Sequence, residues 1–134
     1  PYLKKGDGRV VSNFIYQSLN NHNITIFGKG NQTRSFCYID DLIDGILKTI
    51  KTNKKFHGPV NLGNPKEISI NQLAKTIIKL TRSKSKLIYK NLPEDDPERR
   101  KPNINLAKKI LKWHPNTDLN TGLRKTINYF KTIT

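Results

Sequence analysis

The run Gly28-Lys29-Gly30-Asn31-Gln32-Thr33-Arg34 places two glycines ahead of an arginine. Glycine reaches positive φ without steric cost, so such a turn can aim several backbone N–H groups at one anion. The guanidinium of Arg34 can fork onto a diphosphate with two parallel hydrogen bonds. Taken alone, an ordinary β-turn followed by a surface arginine is the simpler reading. The spacing has neither the closing Gly-Lys-Ser/Thr of a Walker A loop nor the Gly-x-Gly-x-x-Gly of a dinucleotide fingerprint. A second run, Glu94-Asp95-Asp96-Pro97-Glu98-Arg99-Arg100-Lys101-Pro102, sets acids beside arginines. These could serve as general acid/base groups and phosphate clamps. In isolation they read more simply as a solvated loop, whose exposed pairs contribute about 0–1 kcal/mol each. A third, Gly6-Asp7-Gly8-Arg9, could start a helix and aim Arg9 at an anionic cofactor, although a plain turn explains it as well.

Other chemistry finds no support. His22, His57 and His114 are isolated, and no His/Cys/Asp/Glu spacing resembles a metal site. No serine or cysteine has an identifiable base, so no nucleophilic triad is proposed. Cys37 lies within Phe36-Cys37-Tyr38-Ile39 and reads as a small buried hydrophobe.

The elements that must position these residues follow from apolar spacing. Val11, Phe14, Ile15 and Leu19 predict a helix over Val10–Leu19, and Ile24–Phe27 predicts a short strand stopped by Gly28. Phe36–Ile39 is a second strand candidate. Asp40 or Asp41 is expected to cap a helix carrying Leu42, Ile43, Ile46, Leu47 and Ile50. A strand is expected at Pro59–Gly63, a helix capped by Ser69 with Leu73, Ile77 and Leu80, and a strand at Lys86–Lys90. A loop follows from Asn91 to Pro102. One terminal helix carries Ile104, Ala107 and Leu111, another Leu119, Leu123, Ile127 and Phe130. Helices alternating with short strands read as α/β.

At 134 residues the chain fits one domain or one lobe of a larger one. The formal net charge of +15 raises a nucleic-acid partner. The lysines are scattered, however, and the aromatics do not interleave with arginine as stacking platforms would. A solvated basic surface, compatible with steering an anionic substrate, is the favoured reading. No run of eighteen apolar residues is present. No signal peptide is visible, and the single cysteine excludes an internal disulfide. The expectation is a cytoplasmic chain without membrane insertion.

In order along the chain, the segments become specific. Asp7-Gly8-Arg9-Val10-Val11-Ser12-Asn13-Phe14, then Gly28 to Phe36, then Tyr38-Ile39-Asp40-Asp41-Leu42 and Val60-Asn61-Leu62-Gly63-Asn64-Pro65 resemble the UDP-glucuronate decarboxylases (UDP-xylose synthases). The resemblance continues through Glu94-Asp95-Asp96-Pro97, Arg99-Arg100-Lys101-Pro102 and Leu111-Lys112-Trp113-His114-Pro115. It spans nearly the whole chain. These enzymes are extended short-chain dehydrogenases/reductases, with an N-terminal Rossmann domain for NAD and a smaller C-terminal part for the sugar nucleotide.

The resemblance implies that residues 1–134 are the C-terminal, sugar-nucleotide-binding part of such an enzyme, with the Rossmann domain largely missing. The NAD fingerprint and the Tyr-x-x-x-Lys pair are not in this sequence, so the chain alone is expected to be inactive. NAD, bound mainly by the missing domain, would oxidise C4 of UDP-glucuronate, allow CO2 loss, and return the hydride to give UDP-xylose. By the same resemblance Arg34 clamps the UDP diphosphate and Phe27 packs on uracil or ribose. Arg100 is catalytic and substrate-binding, contacting phosphate or the reacting glucuronate. Arg9 faces NAD, and Asn13 lies on the nucleotide side or serves the helix. Asn103 departs from the Asp more usual after Arg-Lys-Pro. The full enzyme is expected to be a homodimer without a nucleic-acid partner. The rival readings are another UDP-sugar epimerase/dehydratase and a basic nucleic-acid-binding module.

Overall fold

The computed structural model describes residues 9–52, 58–91 and 99–133. Its order is α1 (Val10–Leu19), β1 (Ile24–Phe27), β2 (Thr33–Ser35), α2 (Ile39–Ile50), β3 (Glu67–Ser69), α3 (Ile70–Thr81), β4 (Leu87–Lys90), β5 (Arg99–Arg100) and α4 (Leu119–Ile133). The chain divides into two compact units. One comprises residues 1–32, 69–98 and 123–134, and the other residues 33–68 and 99–122.

In the first unit β1 and β4 pair in parallel, from Ile24 opposite Leu87 to Phe27 opposite Lys90. The period-two alternation of β1 buries Ile24 and Ile26. Helix α1 buries Phe14 and Ile15 and packs on α3, which buries Ile70, Leu73, Ala74 and Ile77. The hydroxyls of Ser18 and Thr81 share a hydrogen bond of 2.7 Å between these helices. Ser69 starts α3 as expected. Its Oγ accepts the Gln72 N–H at 3.2 Å, and Gln72 Oε1 accepts the Ser69 N–H at 3.3 Å, a reciprocal cap that fixes where the helix begins.

In the second unit the sheet order is β3-β2-β5, with β2 and β5 parallel. Its core gathers Ile104, Ala107, Leu111 and Trp113, with Cys37, Val60, Leu62 and Ile110 packed against them. Trp113 is 1% exposed, and its indole N–H donates to the Asp41 carbonyl at 2.9 Å, so its polar handle is satisfied. Gly45 makes this approach of α2 possible. A Cβ there would lie 3.0 Å from both Leu62 and the Trp113 ring.

Several expectations shift. The strand lies at Thr33–Ser35 rather than Phe36–Ile39, because Tyr38 is already the extended residue that starts α2. Neither Asp40 nor Asp41 caps α2, since both sit inside its first turn. Residues 59–63 form no strand, whereas Glu67–Ser69 does. The expected loop ends in β5 at Arg99–Arg100. The helix expected around Ile104–Leu111 includes a wide π-type turn at Ala107–Leu111, ended by Lys112 at φ 51°. The apolar stripe of α2 is not core within its unit: Ile43, Ile46, Leu47 and Ile50 are 46–74% exposed.

Candidate functional site

The Gly28–Arg34 segment begins where β1 ends. Phe27, last in that strand, is 48% exposed. Gly28 and Gly30 follow at φ 69° and 71°, the left-handed region that a side chain disfavours by about 1–2 kcal/mol. The Gly28 N–H donates to the Lys90 carbonyl at 2.8 Å, extending the parallel ladder by one bond. Gln32 Nε2 returns to the Phe27 carbonyl at 2.9 Å, closing the turn on itself.

Arg34 and Arg100 are direct partners across β2 and β5 of the second unit, one step beyond Thr33 and Arg99. Partners across parallel strands leave the sheet on the same face, with backbones about 4.8 Å apart. The two guanidinium-bearing side chains therefore share a face. Arg34 is half-buried, and its Nη1 donates to the Thr33 carbonyl at 2.8 Å, which restrains the side chain. Arg100 is exposed, while its carbonyl accepts the Ser35 hydroxyl at 3.2 Å. Thr33 and Lys101 each lie one position from an arginine, so they project to the opposite face. There Glu67 accepts the Thr33 hydroxyl at 2.8 Å and lies 3.8 Å from Lys101 Nζ. The sequence carried no signal for Glu67, because its strand joins the sheet from 34 residues away.

Arg9 occupies the N-cap position of α1 with extended backbone and no side-chain capping bond. Its carbonyl accepts the Asn13 N–H at 3.1 Å, and the two residues stand four apart on one helical face. A helix N-terminus favours negative charge, so an exposed guanidinium there is suited to meeting an anion rather than to capping. Asn13 is half-buried. Phe27, Arg9 and Asn13 thus belong to the first unit, and Arg34 and Arg100 to the second. The acids at 94–98 and the residues before Arg9 lie outside the described residues.

Asn103 has a local role. Its Oδ1 accepts the Asn105 N–H at 3.0 Å, a task an amide oxygen performs as well as a carboxylate. It also borders a surface hollow with Asn61, Asn105, Leu106 and Lys109, none of which was a candidate. Asp41, considered only as a cap, instead reaches out of α2 to accept the Thr117 N–H at 2.8 Å. Burial, with the Asp41 carboxylate nearby, pushes the Cys37 thiol above its ordinary value, the opposite of what a nucleophile needs. Among the described residues no group of three or more His, Cys, Asp and Glu is placed to hold a metal, and no helix is long and apolar enough to cross a membrane.

The profile of the NAD dependent epimerase/dehydratase family matches residues 1–63. UDP-glucuronic acid decarboxylase 1 of Xenopus tropicalis is 46% identical over 131 residues, covering 98% of this chain and 31% of that protein. UDP-glucuronic acid decarboxylase 3 of Arabidopsis thaliana is 43% identical over 124 residues, covering 92% of this chain and 35% of that protein. The chain thus spans about a third of these relatives. Among solved structures, UDP-glucuronic acid 4-epimerase from Bacillus cereus, in complex with UDP-glucuronic acid and NAD, is similar at TM-score 0.89 and 28% identity. That match covers 98% of this chain and 42% of the epimerase. In its motifs in order and its α/β architecture, the chain is similar to the NAD-dependent epimerase/dehydratase family of extended short-chain dehydrogenases/reductases.

Proposed function

We propose that this chain is the sugar-nucleotide-binding part of a larger cytoplasmic, homodimeric enzyme that converts UDP-glucuronate to UDP-xylose and CO2. The observation that carries the reading is the in-register placement of Arg34 and Arg100 on one face of neighbouring strands. Two guanidiniums so arranged suit a diphosphate, whose oxygens accept paired hydrogen bonds from each. Arg34 takes the diphosphate. Arg100 holds phosphate or the glucuronate carboxylate and so orients the reacting sugar. Phe27, exposed at the end of β1, offers a ring to uracil or ribose, and Asn13 is assigned to the nucleotide side.

NAD, when bound, would supply the hydride acceptor and donor for C4 of the sugar, so that a C4 ketone could take up the electron pair released when the carboxylate leaves as CO2. The contribution of this chain is to hold and orient the substrate and to balance its charge. Of the described residues only Arg9 is assigned to the cofactor, so NAD rests mainly on parts outside this chain. The exposed apolar stripe of α2 supports membership in a larger assembly, since such a face is costly in water.

The greater identity to decarboxylases than to the solved epimerase favours decarboxylation over another UDP-sugar reaction. The chain alone should give no UDP-xylose. Joined to the nucleotide-binding part of a relative, it should release CO2 from UDP-glucuronate. There Arg34→Ala should raise KM about tenfold or more, and Arg100→Ala should also depress kcat. Wild-type kinetics in both variants would refute the assignments. Binding of random DNA that collapses with salt, without UDP binding, would favour a nucleic-acid module instead.

A further inference from the structure

Asn71, at the second position of α3, closes on the Gly28–Gly30 turn through both backbone and side chain. Its N–H donates to the Gly30 carbonyl at 3.0 Å, and its Nδ2 donates to the Lys29 carbonyl at 2.9 Å. Its Oδ1 accepts the hydroxyl of Tyr89, from β4, at 3.1 Å. The fit leaves no slack, because a Cβ on Gly30 would lie 2.4 Å from that same Oδ1. One residue earlier the Ile70 N–H donates to the Gln32 carbonyl at 3.1 Å, so α3 grips the turn at two successive positions. The reciprocal cap at Ser69 and Gln72 fixes the register of the helix that supplies these bonds. Two glycines give the turn more conformational freedom than side-chain-bearing residues would, so bonds from outside add to the Gln32 bond in fixing its shape. Asn71 supplies such bonds.

We propose that Asn71 is a positioning residue for the nucleotide. By locking the Gly28–Gly30 turn it sets the ring of Phe27, at the turn's entry, for contact with the uridine of a UDP-sugar. Tyr89 orients the Asn71 amide so that its nitrogen faces the Lys29 carbonyl. The inference rests on the reading of Phe27 as a substrate contact. It adds residues from two other elements, more than 40 positions away in the chain.

The test is UDP titration by NMR into the full chain and into Asn71→Ala, Phe27→Ala and the double variant, with amide exchange followed at Gly28, Ile70 and position 71, whose N–H groups make the bonds that hold the turn. The expected result is about tenfold weaker UDP binding in Asn71→Ala, with no further loss when Phe27 is already alanine. Exchange at the turn should quicken about tenfold while that of buried α1 amides stays put, a split that general destabilisation would not give. Tyr89→Phe, altered at a residue 55% exposed, should weaken UDP about threefold and guards against a misfolded alanine variant. Losses that multiply in the double variant, or unchanged exchange at the turn, would overturn the positioning role while the substrate reading stands. No UDP binding by the unaltered chain would overturn both.

Discussion

Gly30→Ala tests the turn through stability rather than binding. Gly30 sits at φ 71°, where an L-residue costs about 1–2 kcal/mol. The added methyl would also lie 2.4 to 2.8 Å from the three side-chain amide atoms of Asn71. Such distances are untenable, so the amide must swing away, giving up its bonds to Lys29 and Tyr89. Each is worth about 0.5–1.5 kcal/mol net. Stiffening of the unfolded chain returns about 0.4–1 kcal/mol. The balance is a loss of roughly 1–5 kcal/mol, several degrees in Tm for a chain of this size at the middle of that range. Gly28 sits at φ 69°, so the backbone cost of Gly28→Ala, offset by stiffening of the unfolded chain, is about 1 kcal/mol. Urea unfolding of Gly30→Ala, Asn71→Ala and the double variant separates the contributions. The double variant should be about 1–3 kcal/mol more stable than the sum of the single losses predicts, since the same two bonds are lost only once. Simple additivity would refute the reasoning.

Three further outcomes are expected. Asp41→Ala strands the Thr117 N–H and should cost about 1–3 kcal/mol by chemical denaturation, whereas Asp41→Asn, keeping an acceptor, should cost less; equal losses would contradict that account. Cys37, with its thiol pushed up by burial, should react with a disulfide reagent at pH 8 well below the rate of a free peptide thiol; an accelerated rate would contradict its packing against the core. Asp118 accepts the hydroxyl and N–H of Thr121, and these bonds hold its carboxyl below the ordinary 3.8. Its contribution to the start of α4 is therefore fully present above pH 3.8 and is lost as pH falls below that value, so Asp118→Ala should flatten the acid limb of the stability profile there.

The fold was legible where local chemistry and tertiary packing agree. Val10–Leu19 and Ile24–Phe27 stand at the expected bounds, and Ser69 caps α3 as expected, with the Gln72 pairing added by the structure. It was illegible where pairing across the chain decides. Thr33–Ser35 and Arg99–Arg100 are too short and polar to read as strands, and they exist through pairing, with each other and, for Thr33–Ser35, with Glu67–Ser69 as well. Phe36–Ile39 has the composition of a strand, yet helix α2 takes its last residue. The stripe from Ile43 to Ile50 has core periodicity, but among the described residues it remains exposed, because periodicity reveals a face and not what covers it. Site residues behaved likewise. Arg34 and Arg100 were singled out by motif, and their common face came from register. Asn71 and Glu67 were invisible because their partners lie 18 to 42 residues away.

The central claim is that two guanidiniums, set side by side by strand register, grip the charged centre of a sugar nucleotide. Calorimetric titration of UDP and of uridine into the chain joined to a nucleotide-binding part, with Arg34→Ala, Arg100→Ala and the double variant, tests it most directly. The account predicts that each variant weakens UDP about tenfold or more, that the two losses are coupled, and that uridine binding is untouched. Equal affinity for UDP in all four proteins would contradict it.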